Sequence, residues 1–306
     1  DLSNAAFSQG LRGEGGLPPD FEKSQHGLRK LRVDTICGLV FATFSDDLEP
    51  LESWLGDVAN GIRRVLTRPL KVLGYDTQRI HANWKTYHEN PRDSYHANIL
   101  HTFYGTFGLS RQSQESAMVL DAAGRHVYFY TKAGTEKKSA DYDKTASELR
   151  SHNDQLTLED PSILKWKDEY GDGVSVQILN TCPSFVLHQI ANSLATRQLI
   201  PRGVGQSDLV WTYFGFADDD EAMTRARLTQ VNLVGSAGMV SVEDAAVCEM
   251  MQRAFADGEE GASFKYGHYL TVIGVGLGRV FCQDSSIQNV QREPGGDVPR
   301  CNDHLA

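Results

Sequence analysis

The sequence has no excess of positive charge. Its 306 residues carry 30 Lys and Arg against 40 Asp and Glu, a formal net charge of -10. Such a chain offers no electrostatic footprint for a nucleic acid and no polybasic patch for an anionic membrane. It has no apolar run near the roughly 20 residues that span a bilayer, and its first residues are polar and glycine-rich where a signal peptide would be apolar. The expected compartment is the cytoplasm. Cysteine is scarce: Cys37, Cys182, Cys248, Cys282 and Cys301 are odd in number and scattered, so reduced thiols are expected. No H-E-x-x-H or G-x-S-x-G element supports a zinc peptidase or a serine hydrolase. Gly274, Gly276 and Gly278 miss the dinucleotide spacing. Cys301-Asn302-Asp303-His304 is a lone C-x-x-H that lacks the C-x-H partner an iron–sulfur cluster requires.

What is present is enough apolar sequence, 40% of the chain, to bury a substantial core. The β-branched and aromatic run over residues 35–44 predicts a strand. Ser45-Asp46-Asp47 offers a helix N-cap, and Leu48, Leu51, Trp54, Leu55, Val58, Ile62 and Val65 recur at helical steps. Further strands are predicted over 72–80, 174–180, 185–200 and 209–216, with a hairpin over 119–130. Helical segments are predicted over 82–103 and 219–255. Strands in succession joined by hairpins imply an α+β fold, an antiparallel sheet with helices gathered on one side.

The chemistry concentrates between Asn83 and His101. Two histidines and a carboxylate form a ligand set for divalent iron that leaves positions open for dioxygen beside a substrate, although by pattern alone two such histidines are more often surface or core-edge residues. His96 and His101 are five apart, which on a regular helix separates them by roughly 140°. They converge only if the helix is locally distorted. Asp93, three before His96, lies within reach of its ring as an orienting carboxylate. Asn90 is a pocket candidate, or a cap or turn residue before Pro91. Arg197 and Arg202 are candidate receptors for a substrate carboxylate, since a guanidinium binds one with two parallel hydrogen bonds; most arginines are simply solvated. His188, in an apolar strand, reads as a satisfied core histidine. Trp54, Trp84 and Tyr87 read as packing.

The string Asn83-Trp84-Lys85, Glu89-Asn90, Asp93, Tyr95-His96 and His101 resembles the mononuclear-iron motif of Rieske-type aromatic-ring-hydroxylating dioxygenase large subunits, with one extra residue before Glu89-Asn90. Gly235-Ser236-Ala237-Gly238 followed by Asp244 resembles the family segment that supplies the third ligand, with Glu243 as the near alternative. Glu-Asn-x-x-Asp-Ser-Tyr-His and the following Leu100-His101-Thr102-Phe103 are similar to the branch acting on aromatic carboxylates, such as terephthalate, anthranilate and salicylate.

This resemblance implies a helix-grip (Bet v 1-like) catalytic domain with Fe(II) on His96, His101 and Asp244. Asp93 would be the bridge to a cluster-ligand histidine of a neighbouring large subunit in a trimeric core. Electrons from NADH would pass through a reductase, and in some cases a ferredoxin, to a [2Fe–2S] cluster; small β subunits are optional. The product would be a cis-diol, with a salicylate-type monohydroxylase or a metal-free hydrophobic-ligand carrier as alternatives. Residues 1–34 would be a remnant of the Rieske domain and linker, 35–265 the catalytic domain, and 266–306 an atypical tail that reads as an out-of-frame end. The cluster motif itself is missing, so the chain alone is expected to have little or no activity.

Overall fold

The computed structural model describes residues 2, 4–107, 109, 114–134 and 158–256. Up to residue 31 these carry little regular structure beyond a 3-10 turn at Lys23–His26. β1 (Arg32–Ile36) and β2 (Leu39–Thr43) then form a separate hairpin, so the single strand expected over 35–44 is two. The reversal falls at Cys37-Gly38, both at positive φ (50° and 84°), the hand that suits a two-residue hairpin turn. The single helix expected from Leu48 is also two, α1 (Leu51–Leu55) and α2 (Val58–Val65). Gly56 separates them at φ 52° and ψ -139°, backbone that essentially only glycine adopts. Pro50, not Ser45 or Asp46, precedes the first turn.

The remaining elements in chain order are β3 (Leu70–Ile80), α3 (Trp84–Glu89), α4 (Ala97–Leu100), α5 (Thr102–Thr106), β4 (Ser116–Leu120) and β5 (Val127–Lys132). There follow β6 (Val174–Thr181), β7 (Phe185–Ile190), β8 (Ser193–Gly203), β9 (Gln206–Phe216), α6 (Glu221–Val234) and α7 (Met239–Ala256). Seven strands form one antiparallel sheet in the order β3-β9-β8-β7-β6-β5-β4. The strand expected over 185–200 is split into β7 and β8 by a two-residue turn at Ala191-Asn192, with Ala191 at φ 52°.

Successive side chains on a strand face opposite sides of the sheet. Leu179, Leu187, Leu194, Phe214 and Phe216 pack with Leu55, Val58, Ile62 and Val65 of α1 and α2. Ala195, Leu199, Leu209, Trp211 and Tyr213, of the opposite parity, pack with Tyr87 of α3 and Cys248 of α7. The α+β class and the antiparallel sheet are as expected, but helices cover both faces rather than one. The central strands are apolar on both sides, and each side requires cover.

The predicted helix over 82–103 is three short helices with a 3-10 turn at Asn90–Arg92, and that over 219–255 breaks at Gly235–Gly238. The stretch Glu221–Phe255 is long and apolar enough by composition to cross a membrane, yet half of its apolar window is buried inside the protein. It is a pair of core helices. Cys37 and Cys248 are free thiols. Residues 266–306, including Gly274–Gly278 and Cys301–His304, lie outside the described residues.

Candidate metal centre

Local sequence explains how the two histidines meet. Asn83 caps α3, its Oδ1 accepting the Lys85 N–H at 3.0 Å. Pro91 has no N–H to continue an α-helix and sits in the 3-10 turn that ends it. Asp93 leaves in extended backbone, and its Oδ1 accepts the Tyr95 N–H at 2.7 Å, which turns the chain into α4. His101 (φ -87°, ψ 80°) then interrupts the helix between α4 and α5. This is the distortion that the five-residue spacing requires, and it brings the ring centroids of His96 and His101 to 5.3 Å.

The third group comes from across the fold. The turn between α6 and α7 is too tight for a side chain at either of its glycines: a Cβ on Gly238 would lie 2.5 Å from the Leu233 carbonyl oxygen, and one on Gly235 would lie 2.5 Å from Val231 Cγ1. Glycine serves here for close approach, since Gly235 has an ordinary negative φ. Ser236 N–H donates to Tyr213 Oη at 2.9 Å, the Ser236 hydroxyl bonds Asp76, and Ser241 Oγ donates to Gln78 Oε1 at 2.9 Å. These bonds fasten the start of α7 to β3 and β9 and so set the depth of Asp244.

Asp244 Oδ1 lies 3.4 Å from His96 Nε2 and 3.2 Å from His101 Nε2, and one ligand atom from each residue falls within 4.8 Å of the others. Two ligands about 2.1 Å from one first-row ion and about 100° apart are about 3.2 Å from each other, so the spacing fits a shared cation. His101 and Asp244 are buried and His96 nearly so. Burial alone would raise the Asp244 pKa, but His101 and His96 hold it below the usual carboxylate range. Burial likewise works against a charged His96, yet bonds to Asp244 and Asp93 raise it to about 9.

Each ring has a carboxylate at its far nitrogen. Asp93 Oδ2 lies 3.3 Å from His96 Nδ1, as the three-residue offset suggested. Glu243 Oε2 lies 2.7 Å from His101 Nδ1, so Glu243 stands behind a ring rather than among the three converging atoms. Asn90 is the C-cap of α3, and its Nδ2 donates to Asp244 Oδ1 at 2.9 Å and lies 3.3 Å from His96 Nε2.

Arg197 is buried on the same face of the sheet. Its Nη1 donates to Tyr87 Oη at 3.0 Å and its Nη2 to His188 Nδ1 at 2.7 Å, with the guanidinium 4.6 Å from the Trp211 ring. Burial and the Arg197 charge hold His188 well below its ordinary pKa, so it is neutral and accepts at Nδ1. No carboxylate among the described residues pairs with Arg197. Arg202 is half exposed and bonded to Asp208 at 2.7 Å, away from the centre. His188 is buried in the core, but as a partner of Arg197. Tyr87, read from sequence as packing, carries a second polar role, and Tyr104, which stacks edge-on against His101 at 5.5 Å, had no sequence signal beyond its place after the motif.

Two histidines and one carboxylate, buried beneath the helices of an antiparallel sheet, make up the ligand set of mononuclear non-heme iron proteins. Residues 66–276 match the family described as "Ring hydroxylating alpha subunit (catalytic domain)", and the chain belongs to that family. It is 46% identical over 257 residues to the terephthalate 1,2-dioxygenase terminal oxygenase component subunit alpha 2 of Comamonas sp, covering 84% of this chain and 62% of that protein. It is 41% identical over 256 residues to the anthranilate 1,2-dioxygenase large subunit of Burkholderia cepacia (83% and 60%). It is 40% identical over 262 residues to the salicylate 5-hydroxylase large oxygenase component of Ralstonia sp (83% and 61%). The chain thus spans about three fifths of the length of these relatives. Its fold is that of naphthalene 1,2-dioxygenase from Rhodococcus sp., with a TM-score of 0.59 at 16% identity over 80% of this chain and 59% of the other.

Proposed function

We propose that the chain is the iron-bearing part of an oxygenase large subunit that hydroxylates the ring of an aromatic carboxylate with O2. The observation that carries this reading is the convergence of His96 Nε2, His101 Nε2 and Asp244 Oδ1 in a buried cluster. Fe(II) bound there supplies the one-electron and dioxygen chemistry that side chains lack. The chain's own residues do the rest. Asp93 orients His96 and is the bridge to a cluster-ligand histidine of a neighbouring large subunit, Asn90 holds Asp244, and the surrounding core excludes bulk water.

Arg197 is the receptor for the substrate carboxylate. Among the described residues the buried guanidinium is bonded to a phenol and a neutral imidazole and to no carboxylate, and a carboxylate arriving with the substrate supplies the counter-ion. Asn90, bonded to Asp244, is the second substrate-binding candidate. Electrons come from NADH through a reductase, with or without a ferredoxin, by way of a [2Fe–2S] cluster in the larger protein. Residues 1–34 serve as linker and 35–265 as catalytic domain of a cytoplasmic trimeric core, with or without small β subunits.

Iron analysis after anaerobic purification tests the reading. About one iron per chain, lost in His96→Ala and His101→Ala, supports it; a metal-free protein that binds apolar ligands equally well in those variants overturns it in favour of a carrier. The likeness to a salicylate 5-hydroxylase keeps ring monohydroxylation as a second reading. Product analysis with the cluster domain and electron donors restored separates a cis-diol from a phenol.

A further inference from the structure

We infer that Glu243 is a positioning residue for the metal, acting through His101; this rests on the metal-centre reading above. The His101 ring has an acid at each nitrogen: Asp244 Oδ1 is 3.2 Å from Nε2 and Glu243 Oε2 is 2.7 Å from Nδ1. A neutral imidazole has a single N–H, so it can donate to only one of them. A cation at Nε2 resolves the conflict, since Nε2 then offers its lone pair and the one proton resides on Nδ1 facing Glu243. The acid thereby selects the tautomer, aims the Nε2 lone pair at the metal and makes the ring a stronger donor.

Helix α7 makes this possible by carrying Glu243 and Asp244 on successive residues, about 100° apart around the helix axis. The shorter side chain reaches the inner nitrogen side and the longer one passes round to the outer. The two ligand histidines are not held alike. His96 is faced by Asp93 at 3.3 Å, a carboxylate from its own chain segment, whereas His101 is faced at 2.7 Å by an acid from a helix 142 residues away in sequence. The Glu243 side chain is only partly buried, 26% exposed, so its replacement leaves no large cavity in the core.

Cobalt(II) binding to the 306-residue chain tests the inference, read by chelator competition and by the visible absorption of the bound ion. Glu243→Ala is expected to weaken Co(II) roughly 10- to 100-fold and to shift the absorption bands, while the metal-free chain stays folded with a thermal midpoint lowered by no more than the loss of one hydrogen bond. Glu243→Gln keeps an acceptor facing Nδ1 and is expected to restore most of the affinity and the parental spectrum. A Glu243→Ala chain with parental affinity and spectrum overturns the inference alone, as does Glu243→Gln failing as badly as Glu243→Ala. A parent chain that binds no Co(II), or binds it undiminished in His96→Ala, overturns the metal centre itself.

Discussion

Asn90 Nδ2 donates to Asp244 Oδ1 across 2.9 Å, joining the C-cap of α3 to the second turn of α7 over 154 residues of sequence. One amide thus connects the segment that carries both histidines to the helix that carries Asp244. Asn90→Ala is expected to lower metal affinity about tenfold by releasing the Asp244 carboxylate, and to cost about 1 kcal/mol of stability, the usual scale for one such bond. Chelator competition and urea denaturation measure the two effects.

Arg197 sets function against stability. Removing a buried cation that has no acidic partner among the described residues is often neutral or stabilising when an apolar residue fills the space. Arg197→Met is therefore expected to keep or raise the melting temperature while lowering kcat/KM for a carboxylated ring by two orders of magnitude or more in the reconstituted enzyme. Equal loss on an uncharged ring would remove Arg197 from carboxylate recognition.

Gly235 and Gly238, at the two ends of the α6–α7 turn, leave no room for a Cβ. Gly238→Ala places a methyl group 2.5 Å from the Leu233 carbonyl oxygen, so the start of α7 has to move and Asp244 moves with it. Loss of about 1–3 kcal/mol is expected, together with loss of metal binding. Exposed Gly205, where an added Cβ meets nothing within 4 Å, is the control. Gly205→Ala leaves metal binding unchanged.

Buried neutral histidines make the fold sensitive to acid. Burial, opposed by Asp121 and aided by Arg125 and Arg92, lowers His126 to about 4, and burial also pushes His88 well below its ordinary value. The unfolded chain takes up protons near the unperturbed pKa of about 6.5 while the folded chain does not, so stability falls as pH drops from about 6.5 to 4 and rises again toward neutrality. The His126 contribution is of order 1–3 kcal/mol at pH 4. Urea midpoints across that range are expected to fall less steeply in His126→Gln than in the parent.

Metal linkage offers an independent measurement. A ligand that binds only the folded state at 100 times its dissociation constant adds about 2.7 kcal/mol of stability. Co(II) is expected to raise the melting temperature of the parent chain, EDTA to reverse the rise, and His101→Ala to show neither effect.

Residue chemistry and short-range pattern carried much of this protein. The cluster of polar groups between Asn83 and His101 was legible because the histidines, Asp93 and Asn90 lie close in sequence, and the geometry of an ideal helix already showed that His96 and His101 need a break to meet. Antiparallel strands were legible from β-branched runs between turn residues. Other features were not local. The cover on the second face of the sheet, the split at Gly56 and the two-residue turn at Ala191-Asn192 depend on how strands pair and which apolar face finds a partner. The separation of Asp244 from Glu243 was equally beyond sequence reach, since adjacent acids look alike until the depth and rotation of α7 place one at Nε2 and the other at Nδ1. The partners of Arg197 came from α3 and β7, brought together by the sheet. Sequence supplied the groups able to bind a metal and a carboxylate; long-range packing decided which atom of each group faces which.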